Sequence, residues 1–137
     1  MKPLYLSIQA FGPFSDKEDI DFKKLGIYPL FLINGPTGAG KSSILDAICF
    51  ALYGQTTGAE RTASQMRCDH AKPDVLTQVC LDFSIGDKVY RIKRIPMQAR
   101  VKKNGEGTTS QQSEATLWEL DSTEKNRLIV SKKVSEA

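Results

Sequence analysis

Residues 35–42 read Gly-Pro-Thr-Gly-Ala-Gly-Lys-Ser, and what flanks them narrows the possible folds more than any other feature. Before them, Leu30-Phe31-Leu32-Ile33 is apolar throughout, as in a strand covered on both faces. After them, Ile44, Leu45, Ile48, Ala51 and Leu52 fall at helical spacing, Cys49 and Phe50 widen the apolar face, and Gly54 is a natural stop. The order is therefore strand 28–34, glycine-rich loop, helix from Lys41. Three glycines and a proline in 35–40 let the backbone wrap an anion with successive N–H groups pointing inward. The free amides and positive dipole end of the helix add to that cup. The spacing is that of the P-loop, G-x-x-x-x-G-K-[ST]. In that arrangement Lys41 reaches the β- and γ-phosphates of a nucleoside triphosphate and the Ser42 hydroxyl ligates Mg²⁺. The candidate nucleotide-contact set is Asn34, Gly35, Pro36, Thr37, Gly38, Ala39, Gly40, Lys41, Ser42 and Ser43, with ATP and Mg²⁺ as the expected cofactors.

The rest of the chain reads as antiparallel sheet. Leu4, Leu6, Ile8 and Ala10 share one face of an opening strand, and Tyr5, Ser7 and Gln9 the other. Residues 11–15 break it, and an acidic patch (Asp16, Glu18, Asp19, Asp21) leads to a short returning strand around Ile20 and Phe22. Residues 55–74 read as a long polar loop. Val79, Leu81, Phe83 and Ile85 then alternate with polar residues up to Gly86-Asp87, a two-residue turn of the primed type, and the strand returns over 88–95. Pairing Ile85 with Lys88 sets Phe83 opposite Tyr90, Leu81 opposite Ile92 and Asp82 opposite Arg91. Residues 96–113 carry few apolar side chains and read as a mobile excursion. Strands are expected at 116–120 and 128–130, and 131–137 looks like the start of a helix. With 137 residues, 40% hydrophobic, the chain is one globular domain's worth. The longest apolar run, 29–33, is far short of the roughly 20 residues of a membrane span, and no secretory signal opens the chain. Cys49, Cys68 and Cys80 have no short spacing, which argues against a zinc site or disulfide framework and for idle thiols in a reducing cytoplasm.

Net charge is only +3, but residues 88–103 hold seven basic side chains and no acidic one. Arg91, Lys93, Arg94, Arg100, Lys102 and Lys103 are candidate contacts to a DNA backbone, read through charge rather than base identity. The competing reading is a solvated sheet edge guarded by cations. Hydrolysis would further need a carboxylate at the end of an apolar strand. Val79-Cys80-Leu81-Asp82 and Leu117-Trp118-Glu119-Leu120-Asp121 come nearest. Asp82 is better explained as the partner of Arg91, and Glu119 interrupts the second. The chain therefore offers phosphate-binding groups and no general base, and negligible hydrolysis is expected of it alone. His70 reads as a surface residue, Trp118 as core, and Arg61 and Arg67 as solvated loop charges within reach of the nucleotide.

Gly38 tightens the motif to G-x-x-G-x-G-K-S, which resembles cassette-type and SMC-like ATPases more than small GTPases, and no Asn-Lys-x-Asp guanine reader follows. The opening strand, Phe11-Gly12-Pro13-Phe14, Ile20-Asp21-Phe22, the run from Phe31 to Ile48, Ala51-Leu52-Tyr53-Gly54, Thr56-Thr57-Gly58 and Met66-Arg67-Cys68-Asp69 together resemble the N-terminal part of bacterial SbcC-type DNA-repair ATPases. The resemblance is strong over 1–70 and holds in outline beyond. It implies an α/β P-loop fold of ABC/SMC type, a mixed sheet with an antiparallel β-rich lobe, in which 1–137 is the Walker A half of a head split by a long coiled coil. It also implies three partners: a metal-dependent nuclease of SbcD type, double-stranded DNA ends, and a second copy of the head closing two ATP sites. In this family residues 11–15 lie at a nucleotide-contact loop. The alternatives are a P-loop transferase or small-molecule kinase, and a non-catalytic DNA-binding module built on the basic hairpin.

Overall fold

The computed structural model describes residues 1–25, 34–36, 41–55, 66–72, 74–102, 107–120 and 126–133, with Leu25 and 126–133 described by backbone alone. Ten residues of alternating character make the first strand, β1 (Lys2–Phe11), with Leu6, Ile8 and Ala10 fully buried on one side. It turns at Gly12-Pro13 into β2 (Phe14–Asp21). This second strand is longer than the sequence suggests, because the acidic residues 16, 18 and 19 are themselves strand positions on an exposed sheet edge. Phe22 has left the strand. It opens a 3₁₀ turn (Phe22–Leu25) that tucks its ring into the core at 5% exposure.

A single α-helix is described, α1 (Lys41–Tyr53). It is followed by β3 (Gln78–Ile85), β4 (Lys88–Ile95), β5 (Gln98–Val101), β6 (Thr108–Gln111), β7 (Glu114–Leu120) and β8 (Asn126–Lys133). Six strands form one sheet in the order β2-β1-β3-β4-β7-β8, and β5-β6 form a separate ribbon. Every pairing among the described strands is antiparallel. The expected apolar strand at 28–34 falls almost wholly outside the described residues, as do the loop positions 37–40, Arg61 and Lys103.

The β3–β4 hairpin has the expected register, with Ile85↔Lys88, Phe83↔Tyr90, Leu81↔Ile92 and Asp82↔Arg91. Its turn glycine, Gly86, takes φ +60°, which only glycine adopts freely at the first position of a primed turn. One face of the sheet carries Leu6, Ile8, Val79, Leu81, Phe83 and Ile92, and α1 packs on it through Ala47, Phe50 and Ala51. Phe50 stacks on Phe11 at 6.0 Å between ring centroids, and Phe83 on Tyr90 at 5.7 Å. Burying each such aromatic or branched side chain contributes about 1.5–3 kcal/mol.

Three further expectations are corrected. The stretch 96–113 is not an open excursion: it holds the β5–β6 ribbon, a polar pairing of Gln98-Ala99-Arg100-Val101 with Thr108-Thr109-Ser110-Gln111. Residues 131–133 do not begin a helix; they continue β8, where Ser131, Lys132 and Lys133 pair with Thr116, Ala115 and Glu114. An edge already laid down by β7 outweighs weak local propensity. Trp118 is not in the core. Its register partner is Arg91, so it stands half-buried on the sheet face away from α1. Among the described residues no helix is long and apolar enough to cross a membrane.

Candidate functional site

The helix begins at Lys41, the residue that ends the glycine-rich run. Its first-turn amides have no intrahelical acceptor, and the dipole adds partial positive charge at that end. No acidic residue occupies the first turn to neutralise it. The Lys41 ammonium donates to the Gly35 carbonyl oxygen at 2.5 Å, which brings the two ends of the motif together. Ser42 is exposed and Ser43 half-buried, while Asn34 and Pro36 are exposed at the loop's entrance. Exposed donors, a cation and a hydroxyl at one helix end are the groups a magnesium–polyphosphate needs. Among the described residues no group of three or more His, Cys, Asp or Glu side chains is placed to hold a metal ion. A cation here would be held by the Ser42 hydroxyl and by the anion it accompanies.

The other end of α1 is closed by two devices. Gly54 takes φ +77° and its N–H donates to the Phe50 carbonyl at 2.8 Å, a left-handed helix stop. Arg94 Nε donates to the Ala51 carbonyl at 3.2 Å. A cation at a helix C-terminus complements the dipole. Burial pulls the Arg94 guanidinium below its ordinary pKa.

That contact separates Arg94 from the other candidate DNA residues. Arg94 shares the α1-facing side with Tyr90 and Ile92, whereas Arg91 and Lys93 share the opposite face. Arg91 is held there by Asp82 through two parallel hydrogen bonds, 2.7 and 2.9 Å, which raise the guanidinium above its usual pKa. This also settles Asp82 as an ion-pair partner in β3. Arg100 and Lys102 belong to the β5–β6 ribbon and its loop. Lys102 is exposed, but the Arg100 Nε is buried without a hydrogen-bond partner. His70 is exposed, and the three cysteines are free thiols, with burial pushing the Cys80 thiol up.

Sequence reasoning missed the polar knot beside the β1–β2 turn. Arg67, expected as a solvated loop charge, is half-buried and donates to the carbonyls of Val75 and Lys72, to Thr77 Oγ1 and to Gln98 Oε1. Gln98 in turn bridges the Thr77 backbone, accepting from its N–H at 2.8 Å and donating to its carbonyl at 2.9 Å. Thr77 Oγ1 donates to the Ala10 carbonyl at 2.8 Å. The available signal was a long polar residue, Gln98, set two positions past the Ile95-Pro96 pair that ends the alternating strand 88–95.

A protein-family model described as an AAA domain matches residues 5–136. The chain belongs to the AAA-domain family. Among curated relatives, the SbcC component of the SbcCD nuclease of Vibrio cholerae is 59% identical over 132 residues, 96% of this chain and 13% of that protein. The same-named component of Lactococcus lactis is 45% identical over 136 residues, and that of Treponema pallidum 40% over 95, or 69% of this chain. The resemblance to SbcC-type proteins therefore stands, and this AAA-domain chain spans about 13% of the length of the first two relatives. Its P-loop class agrees with the helix N-terminus at Lys41 and with the antiparallel lobe built around β1, β3 and β4.

Proposed function

We propose that the chain is the ATP-binding half of a DNA-repair ATPase head, of the type that controls a metal-dependent nuclease at double-strand ends. The observation that carries this is the Lys41 ammonium folded onto the Gly35 carbonyl at the start of α1, in a chain 59% identical to a component of an SbcCD nuclease. Binding ATP requires Lys41 to exchange that carbonyl for the terminal phosphates, while loop and first-turn amides hold the other oxygens. Ser42 would supply a hydroxyl to Mg²⁺, which when bound would draw charge from the terminal phosphate oxygens. In this reading the remaining length of the longer relatives supplies the coiled coil, the signature loop and the hydrolytic carboxylate, in a cytoplasmic protein. Leu45 and Tyr53 stand 54% and 74% exposed on α1, as expected of a helix with a further layer to receive. A second head would close each nucleotide site, and an SbcD-type nuclease would cut the DNA. Of the described candidates, Lys93 and Lys102 are the cations left to meet a DNA backbone in this reading, since Arg91 is paired with Asp82, Arg94 faces the helix and the Arg100 Nε is buried. The transferase and kinase readings take no support from relatives named as nuclease components.

The test is reconstitution of the full-length protein with its nuclease partner on linear duplex DNA. ATP-dependent end degradation by the wild type and its loss in Lys41→Ala, with assembly intact, is the expected result. Degradation indifferent to ATP and to Lys41 would refute the proposal.

A further inference from the structure

The β1–β2 turn lies directly against the first turn of α1. Gly12 sits at φ +58°, and a Cβ built on it would lie 2.9 Å from Ser43 Oγ and 3.1 Å from Ser43 Cβ. We infer that Gly12 is a positioning residue for the phosphate-binding end of α1: its missing side chain sets how close Ser43, and with it the adjoining Lys41 and Ser42, comes to the sheet. The inference rests on the nucleotide reading above and deepens it, because Gly12 acts through Ser43.

Two properties make the contact a stop rather than a chance approach. First, the sheet side is tied down. Gly12 N–H donates to the Met66 carbonyl at 2.6 Å. Two residues back, the Ala10 carbonyl accepts from both Cys68 N–H and Thr77 Oγ1, at a backbone irregularity where Ala10 itself takes φ +50°. Phe11 bridges Arg67 on one side and stacks on Phe50 of α1 through its ring. The Arg67–Gln98–Thr77 knot anchors that whole corner. Second, the clash has a part that rotation cannot relieve. Ser43 Oγ escapes by turning about χ1, but Ser43 Cβ is fixed to the helix backbone. With the corner held, a methyl group on Gly12 displaces the helix end by a few tenths of an ångström before ordinary van der Waals distance returns. That displacement falls on the residues whose placement decides phosphate binding, where small errors of geometry are costly.

The experiment compares Gly12→Ala, Ser43→Gly and the double variant with wild type in the full-length protein. One readout is amide hydrogen exchange over 42–45 against 47–53 without nucleotide; the other is affinity for Mg-ATP. Gly12→Ala is expected to speed exchange in the first turn selectively and to weaken Mg-ATP binding by about tenfold or more. The double variant, which keeps the strained φ but removes the opposing Cβ, is expected to return both readouts to the Ser43→Gly values. If Gly12→Ala lowers only the melting temperature, or the double variant is unfolded or no better than Gly12→Ala, the contact does not position the helix and the inference fails. Should the wild type itself not bind Mg-ATP, the nucleotide reading falls separately, and the exchange comparison alone decides whether Gly12 sets the helix end.

Discussion

Arg91 and Arg94 lie three residues apart on β4 and do opposite work. Arg94 faces α1, loses solvent, and gives its Nε to the Ala51 carbonyl at the helix's closing turn. Arg91 faces away, gains a carboxylate, and stays partly in water at 38% side-chain exposure. Burial lowers the pKa of the first, and the Asp82 hydrogen bond raises that of the second. The alternation of a strand assigns these roles, not the chemistry of arginine. A basic run in sequence therefore becomes two separate devices: a structural cation under the helix, and a charged outer face that includes Lys93 and the half-buried Trp118. A count of seven basic residues could not have shown that split.

If the two faces differ as described, substitutions should rank accordingly. Phe50→Ala empties the interface between α1 and the sheet and should cost about 3–5 kcal/mol, read from the urea midpoint of the domain's own transition. Arg67→Ala removes the donor shared by Val75, Thr77 and Gln98 and should cost about 2–3 kcal/mol by the same measurement. Arg94→Ala strips a donor and dipole partner from α1 and should cost about 1–2 kcal/mol, with faster amide exchange in the helix's last turn. Asp82→Asn on the outer face should cost only about 0.5–1 kcal/mol and lose that difference in high salt. A cost equal to that of Phe50→Ala would erase the contrast. The smallest effect on stability, within about 0.5 kcal/mol, is expected for Lys93→Glu with Lys102→Glu. The same pair should weaken duplex binding by the assembled complex and lower its salt slope by about two. Unchanged affinity at low salt would remove these lysines from any DNA surface.

The legible parts of the fold are those where one local rule dominates. The β3–β4 register followed from alternation plus a two-residue glycine turn, and the Asp82–Arg91 pair followed from the register. The start of α1 at Lys41 and its stop at Gly54 followed from motif and helix-end chemistry. What escaped was held by partners distant in sequence. The β5–β6 ribbon has almost no apolar signal and is rooted by Gln98 on Thr77, 21 residues away. β8 runs through Lys133 because β7 offers an edge. Trp118 lies outside the core because strand parity, fixed by pairing with β4, points it away from the helix. Gly12 was visible as a turn glycine, but its approach to Ser43 needs the helix in place.

In the proposed function, nucleotide binding depends above all on the helix end at Lys41. Calorimetric titration of the full-length protein with Mg-ATP measures it most directly, beside the Lys41→Ala variant. The wild type should bind, and the variant should lose at least about a hundredfold in affinity, since a charge-assisted contact to the terminal phosphates is worth several kcal/mol in a partly desolvated site. Affinity kept within a few-fold in Lys41→Ala would contradict it.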